Sequence, residues 1–350
     1  MQGLVPNPIT SARQVLAQYE KRYQPRRLDP LGSAGGFSGA RFWRVESAAG
    51  QLCLRRWPVE HPTRDRLEQI HRILRHARSS GLQFLPAPFS DSRGHSIVAA
   101  EGHLWELAPW LPGRADFHQF PTSPRLRSAM AALARFHLVA AELPGAVGRG
   151  VSTALGERQY LLQDLLRGGK QRIAAAVVPS VWPELTGRAR RWLGYVPDLA
   201  PNLARQAEFL ADEPRAVQPC IRDIWHDHVL FEGDEVSGIV DFGAMRQDHV
   251  AVDVARLVGS LVGDAADDRR QAFAAYQKLR PLTADEWQLV EVLDASAVLL
   301  SGLNWLNWIY IEGREFEDRK RVVARFDEIL IRLGTLAKRT GRNPRLPDGV

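Results

Sequence analysis

From residue 123 to about 338 the chain reads as helix, and one stretch, 219–242, breaks that pattern. There "CIRD" and "HVLFEGDEVSGIVDF" are short apolar runs, and Gly233-Asp234 supplies a turn, so the stretch reads as a short hairpin. A carboxylate stands at each end of it: Asp223 within "CIRDIWHDHVLF" (220–231), and Asp241 within "VDFG" (240–243). Strand ends joined by a short hairpin hold two such groups a fixed few ångströms apart. The bland reading is that both aspartates are ordinary turn residues. A second reading takes Cys220, His226, His228 and His249 as a zinc cluster. His226 and His228 have a spacing that can serve a metal from a strand, but no fourth ligand stands at a usual spacing.

The rest of the chain supplies the context. Residues 10–23 are helical, with Thr10 or Ser11 as N-cap. Residues 26–58 hold short runs rich in Phe, Trp, Val and Leu around two glycine clusters, which predicts three strands. In 61–81, Leu67, Ile70, Leu74 and Ala77 make one apolar stripe, with Thr63 placed to cap the helix and Gly81 to end it. Residues 96–113 read as two more strands joined at Glu101-Gly102. The helical part then opens with 122–145, and the last residues, "RTGRNPRLPDGV", read as a disordered tail.

Charge and cysteine usage narrow the function classes. The net charge is +6, but only five of the 46 basic residues are lysine, and the arginines are interleaved with Asp and Glu, as in "EGREFEDRKR" (312–321). A nucleic-acid binder gathers its positive charge on one face, so no nucleic-acid partner is expected. The two cysteines, Cys53 and Cys220, give neither a zinc spacing nor a disulfide framework. The most apolar stretch, 287–311, carries Glu291 and Asp294 and reads as a buried helix rather than a membrane span. No basic-then-apolar signal pattern opens the sequence. The expected location is the cytoplasm, with no membrane partner.

A β-rich part, an extended hinge and a helical part interrupted by one hairpin follow the order of the protein-kinase-like fold. "IRDIWHDHVLF" with "VSGIVDFGAM" resembles the catalytic and metal-binding segment of the aminoglycoside phosphotransferase and choline kinase family. "LARFH" (133–137) and "WLPG" (110–113) are similar to further segments of that family, and together the matches cover roughly residues 28–310. The resemblance implies a two-lobed α+β fold with a nucleotide-binding N-lobe, residues 1–108, and a helical catalytic and substrate lobe, 109–338. Residues 339–350 are left as the tail. The hinge falls near Leu107 to Trp110.

What the resemblance implies for the site can be stated in chemical terms. Phosphoryl transfer asks for positioning and charge neutralisation more than for covalent participation. Asp223 takes the place of the family's catalytic aspartate, orienting the acceptor hydroxyl and accepting its proton. Asp241 takes that of the metal-binding aspartate, and position 228, five after Asp223, that of a metal-binding asparagine. The glycine-rich "GSAGGFSGA" (32–40) would let backbone N–H groups of Gly35, Gly36 and Ser38 approach phosphates, although an ordinary tight turn reads the same way. Alternation along "QLCLRR" (51–56) puts Cys53 and Arg55 on one strand face. Cys53 would lie over the adenine, with Leu107 and Ala108 at the hinge, and Arg55 would replace the phosphate-contacting lysine. Glu68 is the helix carboxylate expected to pair with Arg55. The implied ligands are ATP and Mg²⁺.

Three positions depart from the family pattern: Ile221 and Arg222 replace a His-Gly pair, and His228 replaces the asparagine. Imidazole is a softer ligand than Mg²⁺ prefers and suits Mn²⁺ better. Arg222 either depresses the neighbouring carboxylate's pKa or points outward into a salt bridge. Asp253 is expected to cap a helix, and Trp305, Trp308 and Tyr310 to pack in the core. The expected function is ATP-dependent phosphorylation of a small-molecule hydroxyl, on an amino alcohol, aminoglycoside or sugar. The alternative is a catalytically impaired nucleotide- or metabolite-binding protein of the same fold.

Overall fold

The first helix, α1 (Pro8–Leu16), is shorter than the sequence suggested, and residues Lys21–Tyr23 form a separate 3₁₀ turn. Gln24 explains the early end, because its side-chain amide donates to the carbonyls of Leu16 (2.8 Å) and Tyr19 (2.9 Å) and so satisfies groups a longer helix would have used. This is a computed structural model, and it describes residues 8–32, 39–316 and 318–339. The expected loop residues Gly35, Gly36 and Ser38, and all of the expected tail but Arg339, lie outside the described residues.

Five strands follow the expected order: β1 (Arg27–Gly32), β2 (Arg41–Ser47), β3 (Gly50–Arg56) and, after helix α2 (Arg64–Ser79), β4 (Val98–Ala100) and β5 (His103–Pro109). They form one antiparallel sheet in the order β1-β2-β3-β5-β4. Pro30 sits in β1, an edge strand, where its missing N–H breaks no ladder on the open side. On one face, Trp43, Val45, Leu52, Leu54, Trp105 and Leu107 pack against Ala12, Val15 and Leu16 of α1, all within one buried cluster. On the other face Trp57, Leu67 of α2 and Ile97 make a smaller cluster. The Thr63 hydroxyl accepts from the Arg66 N–H as the N-cap of α2, and Gly81 follows the helix at φ 98.

Helix α3 (Ser123–Ala141) leads to β6 (Gly148–Gly150), α4 (Thr153–Asp164), α5 (Lys170–Ala176) and the long α6 (Pro183–Ala211). Then come β7 (Arg215–Cys220), the hairpin β8 (Val229–Glu232) and β9 (Glu235–Ile239), and β10 (Arg246–Asp248). Helices α7 (Ala251–Val262), α8 (Ala266–Gln277), α9 (Ala284–Leu306) and α10 (Arg319–Arg339) complete the chain. The strand ending at Cys220 was expected to belong to the hairpin, but β7 instead pairs with β10 and β6 in a sheet of its own, and β8 pairs with β9 alone.

Contacts gather the chain into two compact units, Met1–Ala146 with Asp223–Met245, and Val147–Arg222 with Arg246–Val350. The first unit thus extends beyond residue 108 to take in α3 and the β8–β9 hairpin, and its hydrogen bonds show why. Arg125 of α3, itself buried, donates from Nε to the Gly233 carbonyl in the hairpin turn (2.9 Å) and pairs with Asp116 (2.9 Å). Thr122 donates to Asp234 (2.9 Å), and the Val236 N–H donates to the Ser128 hydroxyl (2.9 Å). In the second unit, buried Asp248 of β10 accepts from Ser152 (2.6 Å), Thr153 (3.0 Å) and the Ala154 N–H (3.0 Å), fixing the start of α4. The helical stretch Ala284–Ile311, α9 and the turn after it, has an 18-residue window of mean hydropathy 1.4, of which 67% is buried inside the protein. It begins with a capping box, Thr283 and Glu286, and Gly302 admits the Trp192 indole, whose N–H reaches the Leu299 carbonyl (3.0 Å).

Candidate active site

Asp241 follows directly on the end of the hairpin, after Val240, whose N–H donates to the His228 carbonyl (2.9 Å). Its backbone is left-handed, φ 63, a conformation that aspartate tolerates at a steric cost. Phe242 anchors the next position against Phe136 of α3, at 5.8 Å between ring centroids. Arg66 of α2 donates to the carbonyls of Gly243 (3.0 Å) and Met245 (3.4 Å), so the segment after Asp241 is held from two sides.

Strand β3 brings Arg55 to this carboxylate. Nη2 of Arg55 donates to Oδ1 of Asp241 at 3.2 Å. The guanidinium carbon lies over Trp57, 3.3 Å from the ring centroid, and 5.1 Å from that of Phe42. Arg55 is buried and Asp241 half-buried. Burial opposes ionisation of Asp241, but Arg55 and the Gly243 N–H favour the anion, and its pKa is held below the usual aspartate value.

His228 stands on the other side of Asp241 and joins it to Asp223. Its Nδ1 lies 2.7 Å from the Asp223 backbone carbonyl, and its Nε2 lies 2.8 Å from the Trp225 indole nitrogen and 3.9 Å from Oδ2 of Asp241. A carbonyl only accepts and an indole N–H only donates, so the neutral ring carries its proton on Nδ1 and its lone pair on Nε2. That lone pair is engaged by the Trp225 N–H, with Asp241 Oδ2 beyond hydrogen-bond distance. Asp223 itself is half-buried.

The expected partners of Arg55 need a correction. Glu68 does not reach it. Its carboxylate is exposed and bonds Arg64, one turn back on α2 (3.4 Å). The physical reason is the stripe that α2 buries: His71 stands within it, and Glu68 lies about 60° further round the helix. The acid beside Arg55 comes from the sheet instead. Glu106 of β5 is the cross-strand partner of Arg55, and His71 of α2 bonds its Oε2 at 2.6 Å and Ser96 at 2.9 Å.

The other expected nucleotide residues divide. Cys53 and Ala108 are cross-strand partners. Burial pushes the Cys53 thiol up to about 12. The Leu107 side chain instead joins the core cluster with α1, and its carbonyl accepts from the Phe89 N–H (2.8 Å). The alternation that sends Cys53 to one face sends Leu107, paired with Leu54, to the other.

In the second unit, the Arg222 guanidinium takes the salt-bridge option, bonding Glu157 (2.7 Å) and Thr153 (3.1 Å) of α4. Asp253, in the first turn of α7, is fully buried. Its two oxygens accept from the N–H groups of Ile221 and Arg222, both at 2.6 Å, which pins the backbone immediately before Asp223 and the left-handed Arg222, φ 66. His249 bonds the Ala216 carbonyl (2.6 Å), an ordinary structural use of the ring. Trp305 and Trp308 meet edge to face at 5.2 Å, half-buried rather than in the core.

The sequence profile of the phosphotransferase enzyme family matches residues 32–289. The chain belongs to that family. A homoserine kinase of Rhodopseudomonas palustris is 26% identical over 304 residues, covering 83% of this chain and 84% of that one. A spectinomycin phosphotransferase solved with ADP and spectinomycin superposes with a TM-score of 0.65 at 12% identity, over 93% of this chain and 98% of that one. An amicoumacin kinase solved with AMP-PNP, Ca²⁺ and its acceptor gives a TM-score of 0.60 at 13% identity, over 93% and 94%. The fold is therefore kinase-like, with a small antiparallel sheet in its N-terminal region and a larger helical part. The protein is a small-molecule kinase.

Proposed function

We propose that this phosphotransferase moves the γ-phosphoryl group of ATP onto the hydroxyl of a small amino acid or amino alcohol of the homoserine type. The observation that carries the reading is Asp241: a strained, half-buried carboxylate kept ionised by Arg55, with Nε2 of His228 3.9 Å from its Oδ2. Match over most of both chains to homoserine kinases supports the choice of acceptor. Asp223 orients the acceptor hydroxyl and takes its proton, and Arg55 supplies positive charge to the phosphates. The donor set suits a divalent cation. The Asp241 carboxylate is a hard oxygen ligand, and His228, whose Nε2 stands 3.9 Å from its Oδ2, is the second residue that would hold the ion. Ligation by His228 requires the ring to give up its hydrogen bond from Trp225. When bound, the cation neutralises phosphate charge.

The test is ADP release across a panel of hydroxyl acceptors, with L-homoserine, choline and spectinomycin among them, run with Mg²⁺ and with Mn²⁺. The expected result is the highest kcat/KM for L-homoserine. No turnover on any acceptor with either metal, in protein that ATP still stabilises, would favour the non-catalytic nucleotide-binding alternative.

A further inference from the structure

Among the described residues Arg55 has one anionic hydrogen-bond partner, Asp241, and the proposed function gives that partner a second task. In this structure Nη2 bonds Asp241 at 3.2 Å, and the buried Nε has no hydrogen-bond partner among the described residues. If Asp241 is committed to a divalent cation through Oδ2, the guanidinium on its Oδ1 faces repulsion from the ion and a carboxylate whose charge is already shared. A buried guanidinium left without an anion is strongly disfavoured. The phosphates would supply one anion, and a carboxylate on the same side of the sheet would hold the guanidinium in place to meet them.

Glu106 is that group by position. It is directly opposite Arg55 in the β3–β5 register, and partners across a ladder share a face. Its side chain is only 15% exposed, and one oxygen, Oε2, is fixed at 2.6 Å by His71, which is itself buried and backed by Ser96. Burial opposes its ionisation, yet its pKa is held below the usual glutamate value, by His71 first and by the field of Arg55 next. Glu68, the carboxylate that helix position would suggest, is exposed and engaged by Arg64.

We propose that Glu106 is the positioning residue of Arg55, receiving its guanidinium when Asp241 binds the cation, and that His71 is the clamp by which α2 holds Glu106 in place. The link from helix to strand thus runs His71–Glu106–Arg55, through the neighbouring strand and an imidazole. This rests on the nucleotide reading given above only for its second arm.

The first arm needs no nucleotide. Thermal midpoints are measured for wild type, Glu106→Gln, Asp241→Asn and the double variant. With Asp241 neutralised, Arg55 depends on Glu106, so Glu106→Gln should lower Tm in the Asp241→Asn background by about 2 °C or more beyond its effect in wild type. Additive shifts would overturn the hand-over. Should Glu106→Gln fail to fold, Glu106→Asp enters the same cycle under the same criterion. The second arm measures MgATP affinity by calorimetry. Glu106→Gln should weaken it roughly tenfold or more and Glu106→Asp less than threefold, with Glu68→Gln unchanged, the pattern of a charge-bearing contact rather than of packing. Equal losses in the Glu68 and Glu106 variants, or none in either, would refute the positioning role. A wild type that binds no MgATP sinks the nucleotide reading, while the thermal cycle still decides the proposal.

Discussion

At Asp241 and Arg222 the backbone is left-handed without a glycine, and both residues flank the proposed chemistry in sequence. Such strain persists where surrounding bonds over-determine it, and here Arg55 and Asp253 provide those bonds. Asp223→Asn should cut turnover by about two orders of magnitude or more while leaving MgATP affinity near wild type, read from kcat and from calorimetry. The depressed pKa of Asp241 fixes the sign of a second prediction. A carboxylate whose folded pKa lies below its ordinary 3.8 stabilises the fold above that value, and the contribution is lost as pH falls through the folded pKa. The Tm gap between wild type and Asp241→Asn should therefore narrow as pH is lowered from about 5 to about 3. A gap that stays constant would deny the ion pair its role. For His228, the indole decides: Trp225→Phe frees Nε2 and should increase Mn²⁺-supported activity relative to Mg²⁺, whereas a ring that is no ligand would leave the ratio unmoved. Among these residues, the register of the two aspartates was legible in the sequence. The engagement of His228 by Trp225 was not, because ring orientation leaves no periodic trace. Nor was Glu106, since helix spacing says which residues share a stripe and is silent on which strand residue lies opposite Arg55.

Among the elements, the segment after β5 and the β8–β9 hairpin are joined by a contact that only glycine allows. Gly113 has φ 93, and a Cβ there would press on the Ser237 hydroxyl and come within 2.7 Å of the Phe231 carbonyl oxygen. Arg114 and Phe231 exchange backbone hydrogen bonds at 3.1 and 3.0 Å beside it. Gly113→Ala should destabilise the protein by about 3 kcal/mol, seen as a lower denaturant midpoint. A shift no larger than that of an exposed loop substitution would show that the hairpin yields instead. The "WLPG" match thus has a steric basis. The strands of the main sheet, the α2 cap and both hairpin turns were legible because each carries β-rich alternation or turn chemistry. The sheet β10-β7-β6 was only partly so: β6 and β10 are three residues each, too short to show a period. β7 was visible near Cys220 but was assigned to the wrong neighbour.

For the whole molecule, a ligand that binds only the folded chain must raise its stability, by about 2.7 kcal/mol at a hundred times Kd. Saturating MgATP should lift Tm by several degrees, and Asp241→Asn should abolish most of the lift; millimolar ATP with no effect would argue against the nucleotide site. The two cysteines add something that neither activity nor ligand binding can report. Cys53 lies in the first compact unit and Cys220 in the second. Burial raises both thiols, Cys53 to about 12 and Cys220 well above the usual range. Alkylating reagents need the thiolate, so buried Cys220 should react only once the structure around it opens, and half-buried Cys53 should react slowly before then and faster after. With Cys53→Ser or Cys220→Ser leaving one thiol at a time, iodoacetamide uptake along a urea series becomes a separate stopwatch for each half of the chain, built in by the natural sequence.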